Sequence, residues 1–543
     1  MEVVNDRLLV SIDFGTFNIK CAVIKRDRPQ IHKMNKSQNS DVLPNVVSIQ
    51  KDSVTIGNKK SSSKRTSQTI VNNIKRHLEE EDWKIYVDSR DEDMSAMDIA
   101  SEEFKWIKDN VESKLRRNIT DTIITVPVCF SEMQKKRIID SAENAGLPIK
   151  EVIVEPLGAL FSYEKILDFE DDYNLLVYDF GGGTLDLSIF QLTKEDDVVT
   201  IEALASRGVH FGGQDITKLI YNNIFEKKYK RQILEEVQSR LKKDFLDNEK
   251  ISATDKDPTS KVYKQNYENI KNRFYIDILD DINSFKEDIC NQYDEGEDVP
   301  FSFDSCDIHS NGLKSIGIDT IFLNYQQLYN MVQKTGIFKT IENTIENLID
   351  SAMIDYDDIS KILIVGGTSN IPFFREHLGK CLGVDISTDG DDNGMVVSKE
   401  NDEMYNAVAI GSVTYLKKKD IAFNIINRLS YEVGTIIDGK YTRHMDIDTS
   451  YNDITLRKAI KLSKDSIGSL RLNMYQVFHD TTVSGINIKE DAIYMGHFEF
   501  DSLKYSLGKS YLLELFFDES NSLYGNIYSS SGEKLDVLKL ILT

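Results

Sequence analysis

The chain is poor in cysteine. It has five in 543 residues, Cys21, Cys129, Cys290, Cys306 and Cys381, and no Cys-x-x-Cys pair among them. An odd, scattered set offers neither a disulfide framework nor a zinc-ligand spacing, so free thiols in a reducing compartment are expected. Histidines also stand singly, as at His77, His210, His309, His377, His479 and His497, which argues against a zinc site. Positive charge is short: Lys and Arg total 66 against 89 Asp and Glu, a net charge of −23. That excludes a general nucleic-acid binder, because phosphate contacts need clustered cations. No apolar run reaches the roughly 18 residues that a membrane-spanning helix needs. The opening Met-Glu-Val-Val-Asn-Asp-Arg is too polar for a secretory signal, and the closing Lys-Leu-Ile-Leu-Thr carries no retention tetrapeptide. A cytoplasmic location follows as the expectation. With 40% hydrophobic and 29% charged residues, the chain has the composition of a soluble globular protein of several domains.

What the chain does have is one pattern written twice. Residues 174–190 run through an apolar strand to Asp179, then Phe180, Gly181, Gly182, Gly183 and Thr184, then an alternating return strand. Residues 8–24 repeat it, with Asp13, Phe14, Gly15 and Thr16 between two strands. Both read as β-hairpins. Glycines at a hairpin tip let backbone N–H groups approach an anion, and a threonine adds a hydroxyl donor. An aspartate at the mouth suits a hard cation, held directly or through its waters. Two such hairpins suggest a duplicated α/β unit whose halves face each other across a cleft, with a polyphosphate between the tips and Asp13 and Asp179 converging on a metal. A third glycine site, Gly366-Gly367-Thr368, follows a strand and precedes a helical pattern.

Between these landmarks strands alternate with helices, which implies mainly parallel sheets. Phe104, Ile107, Val111 and Leu115 mark one helix, after a Ser/Lys-rich loop at 59–68. Thr122–Val126 reads as a strand, Ser131 with Gln134 as a capping box, Gly146 as a helix stop, and Val152–Glu155 as a strand with Pro156 opening a helix. Residues 214–300 look helical, with an inserted loop between Asp247 and Gln265, and the helical texture closes near Leu416. A short apolar linker follows. From Leu429 the strands are short and separated by turns such as Asp438-Gly439, an all-β texture. Leu507-Gly508-Lys509-Ser510 looks like the end of a P-loop, but that motif needs a glycine where Leu503 stands; Gly181–Gly183 cannot open a dinucleotide fingerprint, because position 186 is Asp.

Seven segments together resemble the actin-like ATPase superfamily and, within it, the seventy-kilodalton heat-shock (DnaK-type) chaperones. They are Ile12-Asp-Phe-Gly-Thr, Thr125-Val-Pro-Val-Cys-Phe-Ser, Val154-Glu-Pro-Leu-Gly-Ala-Leu, Asp179-Phe-Gly-Gly-Gly-Thr-Leu-Asp, His210-Phe-Gly-Gly-Gln-Asp, Val365-Gly-Gly-Thr-Ser-Asn-Ile-Pro and Asn406-Ala-Val-Ala-Ile-Gly, in the family's order. The resemblance implies a duplicated actin-like (ribonuclease H-like) ATPase domain over 1–416, a linker over 417–428 and a peptide-binding β-sandwich over 429–543. It also implies a helical lid after the sandwich, for which no sequence remains. In this reading Asp13 and Asp179 order a Mg²⁺ shell, while Gly15, Thr16, Phe17, Asn18, Gly181, Gly182, Gly183, Thr184, Gly212, Gly213, Gly366, Gly367 and Thr368 cradle ATP or ADP. Lys75 matches the lysine that reaches the terminal phosphate, and Glu155 the carboxylate beside the attacking water; with Asp179 and Thr184 they form the catalytic set. Pro127 matches a proline that passes the nucleotide state onward. Val433, Thr435 and Ile436 align with the strand that lines the peptide groove.

At the adenosine end the match frays. Lys286 is retained and Cys290 replaces a serine, but Asn283 stands where the family has Glu, Glu287 where it has the Arg that packs on adenine, and Asn370 where it has a second Arg. A carboxylate cannot supply the cation–π contact. The phosphates are therefore expected to be gripped more firmly than the adenosine.

The function implied is that of a monomeric chaperone, a slow ATPase whose nucleotide state controls its hold on unfolded or nascent polypeptide. A J-domain co-chaperone, a nucleotide-exchange factor or the ribosome are the partners implied, with no nucleic acid and no membrane. The altered adenosine end and the missing lid favour an alternative, a regulatory subunit that binds ATP without cycling, with a J-domain partner at the ribosome. A filament-forming actin relative or a sugar kinase leaves the β-rich tail unexplained.

Overall fold

The computed structural model describes residues 7–34, 43–57, 69–87, 89–163, 169–195, 198–247, 256–291, 299–302, 316–317, 320–386, 395–398, 401–464, 469–518 and 522–542. The 59–68 loop and residues 248–255 of the expected insertion after Asp247 lie outside the described residues, as do Cys306 and His309; the helix Lys261–Asn291 begins within the span expected as loop.

Leu9–Phe14 is buried at every position, which is why it reads as a continuous apolar run: both of its faces are covered. It pairs in parallel with Asp121–Val126 and antiparallel with Asn18–Lys25. The sheet runs in the order 149–154, 121–126, 9–14, 18–25, 28–31, with the short strand Leu43–Pro44 also paired to 18–25. The second sheet repeats the arrangement around Tyr173–Phe180. Its order is 396–398, 359–365, 173–180, 185–195, 198–209, 423–426. In each, the strand that carries the motif aspartate pairs in parallel on one side and opens a hairpin on the other. The duplication is thus one of topology, and the fold is mixed α/β of the actin-like kind.

Local signals set the helix ends. Ser131 accepts from the Gln134 N–H at 3.2 Å and Gln134 Oε1 accepts from the Ser131 N–H at 2.7 Å, a complete capping box. That helix, Glu132–Asn144, stops before Gly146, which takes a φ of 75° that other residues rarely adopt. Glu155 is the first residue of a short helix with Pro156 behind it. This helix meets Asn401–Ala422 at a glycine contact: a Cβ on Gly411 would stand 1.8 Å from the Gly158 carbonyl oxygen.

One expectation is corrected: the helix expected to close near Leu416 continues to Ala422. The short apolar segment after it contains a strand, Phe423–Ile426, paired in parallel with Val199–Glu202. The C-terminal part carries two single helical turns, Thr481–Ser484 and Ile488–Asp491. Otherwise it is two packed sheets, one built on Glu432–Ile437 and Leu470–Val477 and the other on Ser510–Phe517 and Leu523–Ser529. Leu429, Tyr431, Val433, Met474, Phe498 and Leu513 are among the side chains that fill the space between them. No helix among the described residues is long and apolar enough to cross a membrane.

Candidate functional site

Between the two sheets lies a cleft of about 310 Å³. It is lined by the predicted residues Asp13, Gly15, Thr16, Phe17, Asn18, Lys75, Glu155, Asp179, Gly181, Gly182, Gly183, Thr184, Gly213, Lys286, Cys290, Gly366, Gly367, Thr368 and Asn370. Gly212 stands behind the wall. A Cβ there would come within 2.4 Å of the Gly182 carbonyl carbon and the Gly183 nitrogen.

The hairpin tips face and touch. A Cβ on Gly183 would stand 2.4 Å from Thr16 Oγ1, and one on Gly182 would stand 3.0 Å from Phe17 Cβ. The carbonyls of the second tip are engaged by neighbouring elements. Gly181 O accepts from the Gly213 N–H at 3.2 Å and from Thr368 Oγ1 at 2.7 Å, Gly182 O from the Gln214 N–H at 2.9 Å, and Gly183 O from Arg76 Nη2 at 3.1 Å. With its acceptors occupied in this way, the loop offers N–H groups to an anion. Arg76 also grips Asp215 with two bonds, at 2.9 and 2.7 Å, so a helix of the first lobe is tied to one of the second.

At the floor, Lys75 is 1% exposed and its Nζ donates to Glu155 Oε1 at 2.8 Å. Lys20 Nζ donates to Asp13 Oδ2 at 3.1 Å. Burial first, and then the charges of Glu155, Asp186 and Asp13, push the Asp179 carboxyl well above the usual carboxylate range. Asp186 is pushed up to about 7, chiefly by burial and then by Glu155. Glu155 is raised by burial against the pull of Lys75. When all are ionised, Asp13, Glu155, Asp179 and Asp186 outnumber Lys20 and Lys75 by two charges. A divalent cation would balance that excess. Among the described residues no three His, Cys, Asp or Glu side chains converge on one point.

At the other end of the cleft stands Lys286. Its ammonium donates to Gly213 O at 3.0 Å, Thr217 Oγ1 at 3.2 Å and Asn283 Oδ1 at 2.8 Å, which fills its three donors. Asn283 Nδ2 donates to Glu287 Oε1 at 2.7 Å, and Asn370 Oδ1 accepts from Arg375 Nη2 at 3.2 Å. In the sandwich, Val433 is fully buried and Thr435 is 1% exposed, its hydroxyl against His444 Nε2 at 3.0 Å. Of the three groove candidates only Ile436 is partly exposed.

Sequence reasoning assigned no role to Lys20, Arg76, Asp186, Gln214 or Tyr405. The first and third were findable: in a two-stranded register Lys20 stands opposite Asp13 and Asp186 opposite Asp179. The others depend on contacts between distant elements.

The family model described as "Hsp70 protein" matches residues 9–256 and 298–482. The matched segments carry both hairpins, Lys75, Glu155, the third glycine site and the first half of the sandwich, to residue 482; the unmatched stretch between them holds Asn283, Lys286 and Glu287, where the motifs depart. On this match and this geometry, the chain belongs to the Hsp70 family, whose members are ATPases and chaperones.

Proposed function

We propose that this chain is a DnaK-type chaperone that hydrolyses ATP and couples the nucleotide state to the grip of its β-sandwich on unfolded polypeptide. The observation that carries the reading is the buried Lys75–Glu155 pair, 2.8 Å apart, beside Asp13, Asp179 and Thr184 in a cleft between two glycine tips. Phosphoryl transfer to water needs little covalent help from the protein; it needs position and charge. Glu155 accepts a proton of the attacking water and orients it. Lys75, held by Glu155, faces the charge that develops on the terminal phosphate. Thr184 and the tip N–H groups hold the oxygens, and Asp13 and Asp179 hold the hydrated metal. Mg²⁺, when bound, neutralises phosphate charge. The boundaries 1–416, 417–428 and 429–543 belong to this proposal, as do a cytoplasmic location and a J-domain partner.

The test is single-turnover hydrolysis of ATP by the full chain, with and without a J-domain protein. Stimulated turnover that Thr184→Ala or Lys75→Ala abolishes supports the proposal. Tight ATP binding with no hydrolysis supports the second reading, a regulatory subunit that holds nucleotide without cycling. The adenosine end, with Lys286 already saturated, favours that alternative.

A further inference from the structure

The end of the cleft remote from Lys75 is lined by Asn283, Glu287, Cys290, Asn291, Asn370 and Tyr405. None of these carries a positive charge. The cations lining the whole cleft are Lys20, Lys75 and Lys286. The first two are paired with carboxylates and the third is saturated by protein acceptors. Arg375, the nearby guanidinium, lies outside the lining and is spent on Ser369 O and Asn370 Oδ1. Among the described residues, a nucleobase at this end therefore meets no available cation to lie against.

It does meet a ring. Tyr405 is 37% exposed, while Met404 before it and Asn406 after it are buried at 2% and 8%. The edge of the ring abuts Gly367: a Cβ there would stand 2.5 Å from Tyr405 Cε1 and 3.4 Å from both Cδ1 and Cζ, in the ring plane beyond Cε1. Gly367 has no positive φ; what its missing side chain provides is room for this edge. An aromatic ring anchored at its edge and lining a cavity offers a face on which any flat base can stack.

We infer that Tyr405 is the platform on which the nucleobase stacks, so that this chain holds its nucleotide's base by an aromatic face instead of a guanidinium. The inference rests on the nucleotide reading of the cleft. Tyr405 acts on the base alone, so its loss weakens binding of the nucleoside part and spares the phosphate part.

The test is calorimetry on the full chain with Mg²⁺ and two probes, ATP and inorganic tripolyphosphate. Tyr405→Ala should weaken ATP binding roughly tenfold or more, with Tyr405→Phe close to wild type, because a stacked base contributes that much. Tripolyphosphate affinity should be the same in all three proteins. ATP affinity unchanged in Tyr405→Ala overturns the inference, and so does an equal loss for ATP and tripolyphosphate, which marks a structural role. If the wild-type protein binds neither probe, it is the nucleotide reading that falls.

Discussion

Gly183 has no side chain where Thr16 Oγ1 already stands, 2.4 Å from the place a Cβ would occupy. Gly183→Ala must therefore push the tips apart, and overpacking of this kind costs about 1–3 kcal/mol. ATP binding measured by calorimetry should weaken accordingly; unchanged affinity would mean that the tips already separate when they close on a nucleotide. Glu103 poses a different problem. It is fully buried, and neither carboxyl oxygen has a hydrogen-bond partner among the described residues. Burial holds its proton on well above the usual carboxylate range. The folded state thus keeps a proton that the unfolded chain releases above about pH 4.5, so this residue's contribution falls as pH rises from there towards its folded value. Glu103→Leu should stabilise the protein by about 1–3 kcal/mol at pH 8, and by less at pH 5, in urea melts at the two pH values.

Among the elements, those set by local chemistry were legible. The two hairpins, the Ser131 capping box and the Ile337–Ala352 helix, with Ile337, Ile341, Ile345 and Leu348 buried, each depend on residues within a few turns of one another. Phe423–Ile426 was not legible as a strand, because its partner, Val199–Glu202, lies more than 200 positions away in the chain. The state of Lys286 was hidden for a related reason: its acceptors Gly213 and Thr217 belong to another helix. The added strand fills an edge that would otherwise present unpaired backbone groups. Ile425→Pro sets a residue without an N–H inside this strand, and limited proteolysis should then cut within 417–428 markedly faster than in the wild-type protein. Equal rates would show that the pairing does not shield this segment.

At the scale of the whole molecule, polar contacts bind the sandwich to the cleft-bearing lobes. Arg207 and Asp448 form a two-bond pair at 2.9 and 2.7 Å, each side chain 10% exposed. Arg428, just before the sandwich, pairs with Glu202, and the Tyr431 hydroxyl donates to Glu132 Oε1 at 2.7 Å. Leaving one member of a buried pair alone costs about 3–5 kcal/mol. Asp448→Ala should thus undock the sandwich, with a larger radius of gyration in small-angle scattering and two melting transitions in place of one. The exchange of both charges, Arg207→Asp with Asp448→Arg, should recover part of the docking energy, and a lack of recovery would assign the loss to other contacts.

Val128 sits between these territories. Its N–H donates to Asp186 Oδ1, at 2.6 Å, on the strand that leaves the glycine tip, and its carbonyl accepts from Ser430 Oγ, at 3.0 Å, at the root of the sandwich. The backbone of one valine is thereby shared between the hairpin of the second glycine tip and the sandwich, so withdrawing the sandwich would free that carbonyl while leaving the amide on Asp186.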